Sequence, residues 1–220
     1  MPAEALHKTL WQGNQAIAEE CLAHPFVRGL GDGSLDPEVF KHYVAQDAFF
    51  LRAFFSAYAL GAVRAVEKRE VVQRLHGLMS GVLDELKLHQ GYAESLAIDL
   101  GNVRPHPAAR AYTDFLPRTA WTADVGEIMA AMTPCMRLYA YLGQELAARD
   151  HSQNPYREWI ETYASAEFEA LAAELESLLD QLAEGTHRVS LAYRYAMRCE
   201  LDFFSASLDE GRWTLTPSDP

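Results

Sequence analysis

The chain has 220 residues, 49% of them apolar, which is enough to bury a substantial core, and its 31 acidic against 19 basic residues leave a formal charge of −12. That balance repels phosphate backbones and the basic residues form no cluster, so nucleic acid is excluded as an expected partner. The longest nearly uncharged apolar run, AFFSAYALGAV at 53–63, is far shorter than the ~20 residues that span a bilayer, so no membrane partner is expected either.

Helical periodicity runs through nearly everything and alternating strand patterns are absent, which predicts an all-α chain forming one domain over 1–220. A first helix is expected from about Pro2 to Ala23. HPFVRGLGDGSLDPEVF follows as a turn-rich connection, with Asp36 as N-cap and Pro37 as first position of a second helix reaching about Val66. Further amphipathic segments are expected at roughly 68–99, 107–118, 123–149, 154–183 and 187–209, separated by breaks such as GNVRPHP and HSQNPY. The tail GRWTLTPSDP reads as irregular, with Trp213 suited to docking on the body. Cys21, Cys135 and Cys199 are an odd number without a C-x-x-C pair, which argues against a disulfide framework and a thiolate zinc site. MPAEALHKTL lacks a signal-peptide pattern, and the cytoplasm is the expected compartment.

In the second helix Tyr43, Asp47, Phe50, Leu51 and Phe54 share one face, which sets a carboxylate in an aromatic stripe. Such an acid either links helices through a hydrogen bond or ion pair, or orients a polar ligand. The last long segment repeats the pattern: Tyr193, Met197, Glu200, Phe203 and Phe204 share a face, and Glu200 is either an acid with a task or the partner of an arginine such as Arg137 or Arg194.

Cys135, in TPCMRLYAYLG, has Tyr139 one turn later on the same face. Pro134 leaves two geometries open. If Thr133 caps a helix that restarts at Pro134, the thiol lies in a first turn where the helix dipole favours thiolate; if Pro134 kinks a continuous helix, a lost backbone hydrogen bond opens space beside the thiol. A buried, inert cysteine is the alternative to both. Tyr112 and Tyr163 fall near helix ends and suit either a core or the wall of a flat-ligand pocket.

Other schemes have less support. No histidine is placed beside Cys135 by a motif. Glu85 and His89 make a same-face pair, but a di-iron bundle needs Glu-x-x-His on two helices, and the Glu-x-x-His at Glu184 to His187 is broken by Gly185 and reads as a helix break. GLGDGS follows no strand, lacks the P-loop lysine and reads as a turn.

Taken together, HPFVRGLGDGSL, FKHYVAQDAFFL, ELKLH, AYTDFL, TPCMRLYAYLG, YREWIETYASAEF and CELDFF resemble, in order and over most of the chain, the TenA family, also called thiaminase II or aminopyrimidine aminohydrolase. The resemblance implies a haem oxygenase-like multi-helix bundle around a pocket, a homotetramer, no metal and no cofactor; kinship of fold does not transfer haem chemistry. It implies hydrolysis at the C5 methylene of a 2-methyl-4-aminopyrimidine to give the 5-hydroxymethyl product, with thiamin or 4-amino-5-aminomethyl-2-methylpyrimidine as the small-molecule partner. Residue by residue, Cys135 matches the nucleophile that adds to the ring, Glu200 the acid/base residue, and Asp47 the acid that holds the aminopyrimidine edge. Tyr112, Tyr139 and Tyr163 match the pocket tyrosines. Phe50 and Phe203 complete the implied substrate-binding set, with two departures: Phe50 replaces a frequent tyrosine and removes a hydroxyl from the pocket edge, and Phe203-Phe204 replaces a frequent Phe-Trp pair while keeping a ring-stacking surface, which leaves substrate preference open. The competing readings are a pyrimidine-binding regulator without turnover and a haem oxygenase-like enzyme using another cofactor.

Overall fold

The structure, a computed structural model, describes residues 4–95, 98 and 103–209, without the side chains of Leu88, His89, Tyr92 and Ser95. Trp213 and the His89 half of the Glu85–His89 pair therefore lie outside the described residues. Among the described residues there are ten α-helices and no strand: α1 (Leu6–Gln12), α2 (Gln15–Ala23), α3 (Pro25–Asp32), α4 (Pro37–Arg64), α5 (Arg69–Ser95), α6 (Pro107–Thr122), α7 (Val125–Ala147), α8 (Arg157–Ala164), α9 (Ala166–Leu182) and α10 (His187–Leu208). None of the described helices is long and apolar enough to cross a membrane.

Local chemistry accounts for the boundaries. Asp36 accepts the Glu38 N–H at 2.9 Å with Pro37 in the first turn, as expected from the sequence. The break at Glu184–His187 also falls where expected, with Thr186 capping α10.

Three boundaries differ from expectation. The first helix is two, because Gly13 and Asn14 interrupt it and the Asn14 amide donates to the Leu10 carbonyl at 2.8 Å instead of facing water. The segment expected as a turn-rich connection is half helix. His24 Nδ1 caps α3 by accepting the Phe26 N–H at 3.3 Å, and the helix runs through two glycines before ending at Gly33, whose φ of 77° is left-handed. A packing requirement explains one of those glycines: a Cβ on Gly31 would sit 2.6 Å from a Leu146 methyl. The long segment at 154–183 divides at Ser165, whose Oγ accepts the Phe168 N–H at 3.1 Å and starts α9.

The core is organised on α7, which is buried along most of its length and packs against α9, α10 and α8; α4 in turn packs against α5 and α6, and α10 closes onto α6 and α2. Two devices hold α7. The Arg137 guanidinium donates to both Glu176 oxygens at 2.8 and 2.7 Å and to both Glu169 oxygens at 2.9 Å, a doubly bidentate clamp onto α9. At its C-terminal end Gly143 lets α8 approach so closely that a Cβ would lie 2.5 Å from the Tyr163 carbonyl carbon. Backbone at that distance cannot move like a side chain. Gly143→Ala should therefore lower unfolding free energy by about 1–3 kcal/mol, read from urea denaturation, because α8 must be displaced.

Candidate active site

Five helices bring the eight sequence-predicted residues to one buried region: α4 carries Asp47 and Phe50, α6 Tyr112, α7 Cys135 and Tyr139, α8 Tyr163, and α10 Glu200 and Phe203. All eight are buried, Asp47 at 5% and Glu200 at 2% exposure. The stripes inferred on α4 and α10 thus face inward.

Cys135 lies in mid-helix. α7 runs unbroken through Pro134, and the Thr133 hydroxyl donates back to the Met129 carbonyl at 2.7 Å instead of capping a new helix. The restart geometry is therefore not adopted, and the dipole-favoured thiolate goes with it. Burial pushes the Cys135 thiol well above its usual range, and the carboxylates of Glu200, Glu85 and Asp47 push in the same direction. The resting sulfur is a neutral thiol that donates a hydrogen bond to Glu200.

Glu200 is the second centre. It pairs with neither arginine suggested by the sequence: Arg137 is committed to α9 and Arg194 is exposed. Its Oε1 instead accepts from the Tyr112 hydroxyl at 2.8 Å. Burial raises its pKa to about 8; the Tyr112 and Cys135 hydrogen bonds act against the shift, and the Asp47 carboxylate adds to it. At neutral pH this carboxyl holds a proton.

Aromatic rings enclose the pair. Phe50 packs on Tyr112 with centroids 4.8 Å apart, and Tyr139 meets the edge of Tyr163 at 4.8 Å. Phe203 meets the edge of Tyr43 at 5.6 Å, and the Tyr43 hydroxyl donates to that of Tyr139 at 3.2 Å. Three contributors were not singled out as site residues from sequence. Glu85 accepts the Tyr163 hydroxyl at 3.1 Å; Tyr43 donates to the Tyr139 hydroxyl and lies within electrostatic reach of Asp47; and Trp159 donates to the Tyr43 oxygen at 3.4 Å. The signal for Tyr43 was its place one turn before Asp47, whereas Glu85 read as half of a metal pair. Among the described residues no group of three or more His, Cys, Asp or Glu is arranged to hold a metal ion.

A buried thiol, a protonated carboxyl and a second acid within one aromatic shell can transfer a proton and a nucleophile to a flat polar ring. The TENA/THI-4/PQQC family model matches residues 11–210. The chain belongs to this family. It is 31% identical to an aminopyrimidine aminohydrolase of Halalkalibacterium halodurans, covering 93% of this chain and 96% of that one. It is also 32% identical to the thiamine biosynthesis multifunctional protein ThiED of Corynebacterium efficiens, covering 96% of this chain but spanning only 29% of that protein's length. Among solved structures, a TenA homologue from P. horikoshii OT3 superposes with a TM-score of 0.86 at 26% identity, covering 93% of this chain and 99% of that one. The bundle is the haem oxygenase-like fold of TenA proteins.

In this TenA-family chain the Glu200 proton has a consequence for stability. With the folded pKa at about 8 and the ordinary value at 4.5, the folded chain keeps a proton across that interval which the unfolded chain releases. A raised carboxyl pKa thus makes its contribution to stability fall as pH rises between the two values. Glu200→Gln removes the ionisation, and its melting temperature should decline less than the parent's between about pH 5 and about pH 9 in a scanning series.

Proposed function

We propose that the chain hydrolyses the bond at the C5 methylene of a 2-methyl-4-aminopyrimidine, releasing 4-amino-5-hydroxymethyl-2-methylpyrimidine, with thiamin or the corresponding aminomethyl pyrimidine as substrate. The observation that carries this reading is the hydrogen-bonded chain from the Tyr112 hydroxyl to the Glu200 carboxyl to the Cys135 thiol, with Asp47 buried beside it. The aminohydrolase relatives, matched over nearly the whole of one of them, support the same chemistry.

In the proposed reaction Asp47 accepts hydrogen bonds from the aminopyrimidine edge, and the rings of Tyr112, Tyr139, Tyr163 and Phe50 form the walls. Glu200 gives its proton to a ring nitrogen as the Cys135 sulfur bonds to a ring carbon, and the thiol proton passes to the carboxyl oxygen it already contacts. No free thiolate accumulates, so the elevated thiol pKa is compatible with the step. The electron pair now on the protonated nitrogen expels the leaving group from the methylene. Water adds to the exocyclic alkene, sulfur departs with restoration of the aromatic ring, and the proton returns. Because Glu200 must start protonated, turnover should fall as pH rises through about 8.

The test is formation of the hydroxymethyl pyrimidine from thiamin or from the aminomethyl pyrimidine by purified, reduced protein; absence of product from both removes the reading. Cys135→Ser should reduce kcat by about a thousandfold or more with the melting temperature nearly unchanged, and full activity in that variant removes the covalent step. Asp47→Ala should raise KM by about tenfold or more, since a charge-assisted hydrogen bond is lost, and an unchanged KM removes its anchoring role.

A further inference from the structure

In the proposed reaction one proton has no acceptor among Cys135, Glu200 and Asp47. Glu200 gives its proton to a ring nitrogen and receives the thiol proton, so it is protonated again when water adds to the exocyclic alkene. Asp47 is engaged by the aminopyrimidine edge. The attacking water still has a proton to lose, which calls for a further base. Glu85 of α5 is placed to take it. It accepts the Tyr163 hydroxyl at 3.1 Å, the Tyr163 ring meets Tyr139 at 4.8 Å, and Glu85 opposes an anion on Cys135 more strongly than Asp47 does. Asp47 and Glu200 are buried, whereas Glu85 is half-buried.

Glu85 also lines a cavity of about 270 Å³ whose wall includes exposed Asp84 and half-buried Leu171, so the cavity gives it a path to solvent. Asp84 is ion-paired with Lys87 at 2.9 Å on the outside, which leaves Glu85 as the carboxylate shared by the cavity and the site. Tyr58 lines the same cavity. It is 1% exposed, lies within electrostatic reach of Cys135 and Glu85, and its hydroxyl has no hydrogen-bond partner among the described residues. A buried hydroxyl left unpaired opposes folding, and this one can both donate to and accept from a water. A carboxylate and a hydroxyl on one small cavity together orient such a water: the first draws its proton and the second fixes its oxygen.

We infer that Glu85 is the general base of the water step and that the Tyr58 hydroxyl holds the attacking water beside it. The inference rests on the aminohydrolase reading above. The water oxygen bonds to the methylene carbon, one water proton passes to the Glu85 carboxylate, and the electron pair of the exocyclic alkene moves into the ring. Sulfur then leaves with the carbon–sulfur pair, taking the Glu200 proton, while the ring nitrogen returns its proton to Glu200. Glu200 and Cys135 end as they began, and Glu85 releases the remaining proton to solvent through the cavity. Two acids thus divide the work: Glu200 cycles protons between ring and sulfur, and Glu85 exports the proton that hydrolysis sets free.

The test uses the full chain with thiamin and with the aminomethyl pyrimidine, in the presence and absence of azide, an anion that attacks carbon without a proton to lose. Glu85→Gln keeps an acceptor for the Tyr163 hydroxyl and removes the base. It should lower kcat for the hydroxymethyl product by about a hundredfold, and azide should restore turnover by yielding the azidomethyl pyrimidine. Tyr58→Phe keeps the ring and should raise the ratio of azide product to water product by about fivefold, which decides the question should Glu85→Gln fail to fold. A kcat within about twofold of the parent's in Glu85→Gln overturns the base role and leaves the aminohydrolase reading standing. A loss that azide does not restore makes Glu85 structural and overturns the role as well. An unchanged product ratio in Tyr58→Phe overturns the part given to Tyr58. A parent that forms the hydroxymethyl product from neither substrate removes both readings.

Discussion

The site depends on the Glu200 carboxyl being held in an aromatic interior by hydrogen-bond donors, with neither Arg137 nor Arg194 paired to it among the described residues. Glu200 has burial and the Asp47 carboxylate acting against its charge, and two hydrogen-bond donors are not enough to offset them. It resolves the conflict by keeping a proton into mildly alkaline conditions. The Cys135 thiol follows from the same constraint, because burial and the nearby acids Glu200, Glu85 and Asp47 all oppose an anion on the sulfur.

The scaffold enforces that arrangement by where it commits its arginine. Arg137 lies two residues beyond Cys135 on α7, so the helix turns it to another face, where Glu169 and Glu176 of α9 saturate it. The pairing holds its charge more strongly than an ordinary guanidinium, despite burial. α7 thereby separates two electrostatic tasks: a neutralised clamp that fixes it against α9, and a buried face on which Cys135 meets Glu200 of α10 with both groups held protonated. Gly143 completes the placement by letting α8 bring Tyr163 against Tyr139.

Much of this was legible in the sequence where the information is local or periodic. The inward faces of α4 and α10 follow from 3.6-residue spacing, and the start of α4 follows from Asp36 and Pro37. Where a residue's reason lies in a distant partner, the sequence misleads. Glycines in HPFVRGLGDG signal a turn, yet α3 runs through Gly29 and Gly31, and Gly31 is small because Leu146 fills the space. Pro134 allowed a restart, but Thr133 bonds backwards to Met129 and the helix continues. Glu85 pointed to His89, its neighbour in sequence, although a hydrogen-bond partner is Tyr163, 78 residues away.

The same charge balance bears on what the pocket binds. Asp47, Glu85 and Glu200 all raise the cost of negative charge at Cys135, so an anionic ring would enter a region already unfavourable to its charge. A ring that arrives with a positive charge, or acquires a proton from Glu200, reverses that sign. In the proposed reaction, protonation makes the ring electrophilic and improves its fit to the nearby acids in one step. Ground-state cost in the empty site is in this way recovered as the substrate becomes cationic, an interaction stronger along the reaction coordinate than before it. In the proposed reaction the commitment of Arg137 to α9 serves this chemistry, since a fixed cation at Glu200 would release the carboxyl proton and oppose the charge that the ring carries.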